Sequence, residues 1–247
     1  MPGPSRGVLH HNIGETPIAV LDFETTGLSP GLDRVVEVSV VRVEPGSSQP
    51  SLVFDTMVNP GLRMAASEVH GLTDRDVADA PRFEEVAGDL VRALAGCVVA
   101  AHNVYFDLRF LQFELEQLRL FQGVPHLCTM YIRPLLGLPA CKLNEACVSD
   151  RIDYTPTHSS RSDSMAAALL WIRYREAFLE RRVVTFGDMT KLGKRYKFFS
   201  SFECDTMPVG RRSTVKKPPA VLKPRIEPEP KPGGPGATRG GIRAGLR

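Results

Sequence analysis

At 247 residues, 43% of them hydrophobic and 24% charged, the chain is long enough to bury a full core in one domain and still carry appendages. Its longest apolar run, Met165 to Ile172, falls far short of the roughly 20 residues that a membrane span needs. The net charge of +3 hides an asymmetry: residues 206–247 hold ten Lys/Arg against two Glu, a net +8, which leaves the rest of the chain at −5.

That basic stretch also holds eight of the twenty prolines, a composition that cannot build a core and reads as a disordered tail suited to weak contact with phosphates. The expected organisation is a flexible leader at 1–15, a main domain at 16–182, an extension at 183–205 and the tail at 206–247. Met1 to Thr16 has no apolar centre, so it does not read as a secretory signal. Five cysteines without a CxxC pair point to free thiols, a cytoplasmic setting and no zinc site or disulfide framework.

Within the domain, Ile18-Ala19-Val20-Leu21 runs straight into Asp22-Phe23-Glu24 and then the turn Thr25-Thr26-Gly27. A short apolar run bounded by turn formers predicts a buried central strand at about 17–23. Residues two apart on a strand share a face, so Asp22 and Glu24 project together and Phe23 points the other way. At ~4 Å and an effective dielectric of ~20, two such carboxylates repel by on the order of 4 kcal/mol. A hard divalent cation relieves that repulsion; a pair of surface acids ending a strand is the plainer alternative.

Arg34 to Val43 alternates as a second strand and Leu52 to Val58 makes a third, joined by linkers short enough for an antiparallel meander. Ser67 to Thr73 suggests a short helical turn closed by Gly71, and Thr73-Asp74-Arg75-Asp76 a capped one. Pro81 to Leu94 has helical spacing, with Gly96 to stop it. Cys97 to Ala101 is continuously apolar and predicts a buried strand parallel to the first. Helices follow at about 104–120, 142–149 and 161–182, the last with Met165, Leu169, Ile172 and Phe178 as its core stripe. Strands first, then helix and strand alternating, make an α/β layer fold with a mixed sheet. In the extension, Tyr196 to Phe202 mixes aromatics with Lys197; packing against the domain is the favoured reading over base stacking or partner docking.

Two further acids stand at helix starts. Asp107 follows the parallel strand through His102-Asn103, in the crevice where that strand and the first would end together. Asp163 opens the last helix, with His158 ahead of it on a loop. Taken singly, each is explained by the helix dipole or by capping.

Together these segments, Asp22-Phe23-Glu24-Thr25-Thr26-Gly27, His102-Asn103-Val104-Tyr105-Phe106-Asp107 and His158 through Asp163, resemble the DEDDh family of 3′–5′ exonucleases, of the ribonuclease H-like fold. Glu68 to Thr73 is similar to the segment that family carries between its first two motifs. The resemblance covers about residues 16–180. It implies a mixed five-stranded sheet flanked by helices, and Asp22, Glu24, Asp107 and Asp163 as ligands of two Mg²⁺ or Mn²⁺ ions. Two ions about 3.5–4 Å apart serve both ends of an in-line displacement at phosphorus. It further implies His158 as the base that takes a proton from water, and Thr25, Thr26, Leu28, His70 and Asn103 as contacts for the terminal nucleotide.

The expected activity is release of nucleoside 5′-monophosphates from single-stranded 3′ ends, with DNA favoured over RNA and a DNA polymerase as a candidate partner. A stand-alone exoribonuclease, or a nuclease fold used only for binding, are the alternatives. The family's usual Ala positions around the last acid are Ser160 and Ser164 here, and no Gln follows Gln122 to lead a clamp-binding peptide of the kind proofreading subunits carry.

Overall fold

The computed structural model describes residues 7–63, 71–193 and 195–209. The chain divides into two units, residues 1–213 and 214–247, and the second lies wholly outside the described residues, as does nearly all of the expected basic tail. The turn expected over Ser67 to His70 also lies outside them.

Three strands come first, β1 Ile18–Thr25, β2 Val35–Val43 and β3 Ser51–Met57, and they pair antiparallel as the short linkers require. The capped turn at Thr73 becomes α1, Asp74–Val77, with the Asp76 carboxylate accepting both the N–H and the hydroxyl of Thr73. Next come α2, Phe83–Leu94, and β4, Val98–Ala101, which lies parallel to β1. The chain then makes α3, Val104–Gln117, β5, His126–Cys128, and α4, Thr129–Ile132. The remainder is helical: α5 Leu143–Ser149, the long α6 Ser160–Glu180 and α7 Phe186–Met189. The sheet order is β3-β2-β1-β4-β5. β5 has no counterpart in the strands read from the sequence, because three residues are too few for any periodicity to register.

The central strand divides the core by its alternation. Ile18 and Val20 join Ala167, Ala168, Trp171 and Phe178 of α6 on one face. Ala19, Leu21 and Phe23 join Phe83 and Leu90 of α2 and Phe110 and Leu111 of α3 on the other. Both faces are therefore covered, and β2 is buried along nearly its whole length. On α6 the buried line runs through Ser164, Ala168, Trp171, Arg175 and Phe178, while the expected Met165 and Leu169 sit at its margin. The stripe is rotated because small and polar residues face the sheet near the helix start.

Two terminal segments pack onto this core. Residues 7–15, expected as part of a loose leader, bury Val8 and Ile13 and bridge Asn12 to Thr185. In the extension, a 3₁₀ helix at Lys197–Glu203 buries Phe198, Phe199 and Phe202, and Ser201 bonds to the backbone of His126 on β5. The aromatics thus serve packing. No helix among the described residues is long and apolar enough to cross a membrane.

Candidate active site

Because Asp22 and Glu24 continue the Ile18–Val20 side of β1, they face α6. The first turn of that helix brings Asp163 to them. Carboxylate oxygens of Asp22, Glu24 and Asp163 all lie within 4.8 Å of one another. Three residues scattered over 142 positions of sequence meet because a strand end and a helix start meet.

Asp107 arrives from the other helix. β1 pairs with β4 only as far as Val20, so beyond that point its edge is open. The Phe23 N–H donates to Asp107 Oδ1 at 3.1 Å, and the Asp107 side chain is only 3% exposed. The fourth acid is thereby fixed to the peptide between the first two, beside the three-acid group rather than inside it. Asn103, which precedes α3, adopts the left-handed conformation at φ +69°, one that Asn tolerates better than most side chains.

The electrostatics follow from the packing. Burial above all, and then the charges of Asp107, Asp163 and Glu24, hold Asp22 well above the usual carboxylate range. Burial together with Asp163, Glu37 and Asp107 pushes Glu24 up to about 8. Burial likewise pushes Asp107 to about 8, against the pull of the Phe23 N–H, which favours the ionised form. Asp163 is raised by burial and drawn partly back by the Tyr154 hydroxyl and by His158. Like charges gathered in a poorly solvated place keep one another protonated. An all-oxygen donor set of this kind fits a hard divalent cation, which would be held by Asp22, Glu24 and Asp163, with Asp107 alongside.

His158 is exposed, on the loop that feeds α6, with φ +48°. It stands five residues before Asp163 and close enough for its charge to lower that acid. The two threonines after the acid pair are occupied in the turn itself. Thr25 Oγ1 donates to the Gly27 carbonyl at 2.6 Å, and Thr26 Oγ1 donates to Asp33 at 3.2 Å while accepting the Arg34 N–H. A Cβ on Gly27 would meet the Asp33 carboxylate at 2.4 Å, so a side chain there would push Asp33 off its bonds to Thr26 and the Ser29 N–H. Leu28 is left 75% exposed at the rim, and Leu32 beside it 81%. His70 lies outside the described residues. His102 turns away from the site: its ring bonds Thr129 Oγ1 and the Cys141 carbonyl, and burial lowers it to about 4, leaving it neutral.

Two residues absent from the sequence reading of the site touch it. Tyr154 donates its hydroxyl to Asp163 Oδ1 at 2.8 Å. Glu37, directly opposite Glu24 in the β1–β2 register, accepts from Ser159 and Ser160 at the start of α6. An acid inside a strand buried on both faces was the available signal for Glu37. Tyr154 carried none, since its loop has no periodicity.

The family profile described as "Exonuclease" matches residues 19–171. The chain is 33% identical over 187 residues to a DNA polymerase III subunit epsilon-like protein of Rhodobacter capsulatus, covering 71% of this chain and 27% of that one. It is 27% identical over 199 residues to a PolC-type DNA polymerase III of Thermotoga maritima, covering 77% and 14% respectively. The chain thus spans about a quarter, or less, of the length of these relatives. Among solved structures, exonuclease X in complex with 5′ overhanging duplex DNA superposes with a TM-score of 0.50 at 22% identity, over 71% of this chain and 99% of that one. A 3′-exonuclease described as recognising a histone mRNA stem-loop superposes with a TM-score of 0.55 at 19% identity, over 67% and 66%. The mixed five-stranded sheet flanked by helices is the fold of these exonucleases. With its profile match running through the acid-bearing strand and both acid-bearing helix starts, the chain belongs to the exonuclease family, the 3′–5′ hydrolases of this fold.

Proposed function

We propose that the chain is a metal-dependent 3′–5′ exonuclease that releases nucleoside 5′-monophosphates from single-stranded DNA ends. The observation that carries this reading is the convergence of Asp22, Glu24 and Asp163 within 4.8 Å on one face of β1, with Asp107 bonded to the peptide between the first two. Acids so arranged are suited to hold divalent cations, Mg²⁺ or Mn²⁺. When bound, such ions supply Lewis-acid stabilisation of the leaving 3′ oxygen and make a nearby water a better nucleophile.

The chain's own residues supply the rest. Asp22, Glu24 and Asp163 would hold the ions, with Asp107 beside them. His158, exposed on a loop beside Asp163, takes the proton from the attacking water, the general-base role for which histidine is the side chain most often used. Leu28 and Asn103, both exposed beside the acids, offer the terminal nucleotide an apolar and a polar contact. Thr25 and Thr26 shape the turn that presents Leu28, and His70 belongs to the same proposed set. DNA is favoured by the 33% likeness to a protein named as epsilon-like, and a DNA polymerase is the corresponding proposed partner.

The test is digestion of end-labelled single strands of DNA and RNA of equal length, with Mg²⁺, with Mn²⁺ and with chelator. Stepwise loss of 3′ mononucleotides from DNA, dependent on metal, is the expected result. Faster digestion of RNA would reassign the substrate, and digestion unaffected by chelator would refute the metal role.

A further inference from the structure

Glu37 is the odd residue in its strand. It is 7% exposed, the one buried charged side chain of β2, and a buried carboxylate is costly unless its oxygens are bonded. Two such bonds come from the start of α6. Glu37 Oε2 accepts the Ser160 N–H at 3.0 Å, and Oε1 accepts the Ser159 hydroxyl at 3.4 Å. Ser159 is the N-cap of α6 and makes no side-chain cap of its own. The first N–H groups of a helix lack partners within it, and its N-terminal end favours an anion. Glu37 therefore caps α6 from the sheet.

The position of that cap matters. Glu37 sits in register with Glu24, the second acid of β1. The helix start it holds carries Asp163 in its first turn and His158 just before the N-cap. One turn further on, the buried Ser164 hydroxyl meets that of Ser39 at 3.1 Å, a second polar tie between the same two elements. Beyond these ties α6 packs on the core through the small buried residues Ala166, Ala167 and Ala168, and apolar contacts among small groups resist sliding less than directional bonds do.

We propose that Glu37 is a positioning residue for the reaction: it fastens the N-terminus of α6 to β2 at the depth that brings Asp163 to Asp22 and Glu24 and keeps His158 at the rim. This rests on the exonuclease reading above. Glu37 acts through the bonds it accepts, so its oxygen is needed and its charge is not.

Glu37→Gln and Glu37→Leu separate those two roles. Gln keeps an oxygen for the Ser160 N–H, whereas Leu removes the acceptor. Glu37→Leu is expected to lower kcat for mononucleotide release from single-stranded DNA by about 10²-fold, the loss associated with a 1 Å misplacement, with KM nearly unchanged. Calorimetric titration with Mn²⁺ alone should show affinity reduced about 10–100-fold. Glu37→Gln should recover most of both. Ser160→Pro removes the donor instead of the acceptor. Proline is tolerated at the first helical position, and Ser159 already has the extended backbone (φ −118°, ψ 126°) that suits the residue before it. It should lower kcat on its own and add nothing in the Glu37→Leu background; should Glu37→Leu not fold, Ser160→Pro and Glu37→Gln still decide. Equal damage from Gln and Leu would show that the charge itself is needed and overturn the proposal, as would wild-type Mn²⁺ affinity in Glu37→Leu or additive losses in the double variant. The wild type run beside them separates the two readings: if it releases no nucleotide, the exonuclease reading has failed, and the Mn²⁺ titrations alone judge Glu37.

Discussion

Around Arg133, buried charge is answered within the chain; at the end of β1, acids are gathered against acids. The Arg133 guanidinium is fully buried and spends its donors on Asp150 at 2.5 Å, the Tyr174 hydroxyl, Ser149 Oγ and the Pro139 carbonyl. Tyr174 in turn donates to Asp150, so the network closes on itself. Asp22, Glu24 and Asp163 instead bring three carboxylates within 4.8 Å, where burial raises all three and repulsion from neighbouring acids raises Asp22 and Glu24 further. A closed network has done its work once the chain is folded. A cluster of one sign is stable as a folded unit only when protonated or when something from outside neutralises it. That contrast is what separates the structural from the functional use of buried charge in this domain.

The contrast breaks most sharply on substitution. Asp22→Asn should remove activity by 10³-fold or more, on the order of what losing a central electrostatic group costs, while the folded state is kept or strengthened, since one of the repelling charges is gone. Retained turnover at equal purity would sink the assignment of Asp22. Arg133→Leu should do the reverse. Leaving Asp150 without its partner costs about 3–5 kcal/mol of stability. Denaturant unfolding reads the loss directly, and activity per folded molecule should stay close to wild type. An Arg133→Leu variant as stable as the parent would mean the network is dispensable.

His158→Ala tests the proton step apart from the acids. Removal of a general base costs about 10²-fold or more in rate. Mn²⁺ affinity should be largely preserved, because the exposed ring is no part of the three-acid group. If the pH–rate profile of the variant overlays that of the parent, His158 is not the base.

Some of this was legible in the residues and some was not, for physical reasons. The acid pair of β1 could be read because strand alternation is local: Asp22 and Glu24 must share a face wherever the strand goes. Asp107 and Asp163 could be placed only by assuming which elements meet, since each is ordinary at a helix start. The order of the motifs supplied that assumption. Glu37 and Tyr154 depend on contacts across 123 and 9 positions of chain, respectively, that no periodicity encodes. Val8 and Ile13 were hidden for a simpler reason. They stand among Gly, His and Asn with only Leu9 as an apolar neighbour, too few for a periodicity, and their burial against the core belongs to the fold, not to the segment. Of the expected α6 stripe, Ile172 and Phe178 are buried while Met165 and Leu169 pack at the margin of the core, because hydrophobicity was counted and the small Ser and Ala residues that face the sheet were not.

The smallest effect is also the one that turns the contrast into a sign. Without metal, Glu24 titrates near 8 in the folded chain and near its ordinary 4.5 when unfolded, and Asp107 behaves alike. Between about pH 4.5 and pH 8 the folded state therefore binds more protons than the unfolded one. Stability then falls as pH rises, because its slope follows the protons bound unfolded minus those bound folded. In chelator the melting temperature should decline across that window. Saturating Mg²⁺ should raise it, by the equivalent of about 2.7 kcal/mol at a hundred times Kd, and should flatten the decline, since a bound cation favours the ionised acids and expels their protons. The Asp22→Asn variant, with one repelling charge fewer, should show a shallower decline in chelator and a smaller response to Mg²⁺. A chelated wild type whose melting temperature climbs from pH 5 to pH 8 would show the acids to be compensated from within, as Arg133 is, and the distinction between the two clusters would fall.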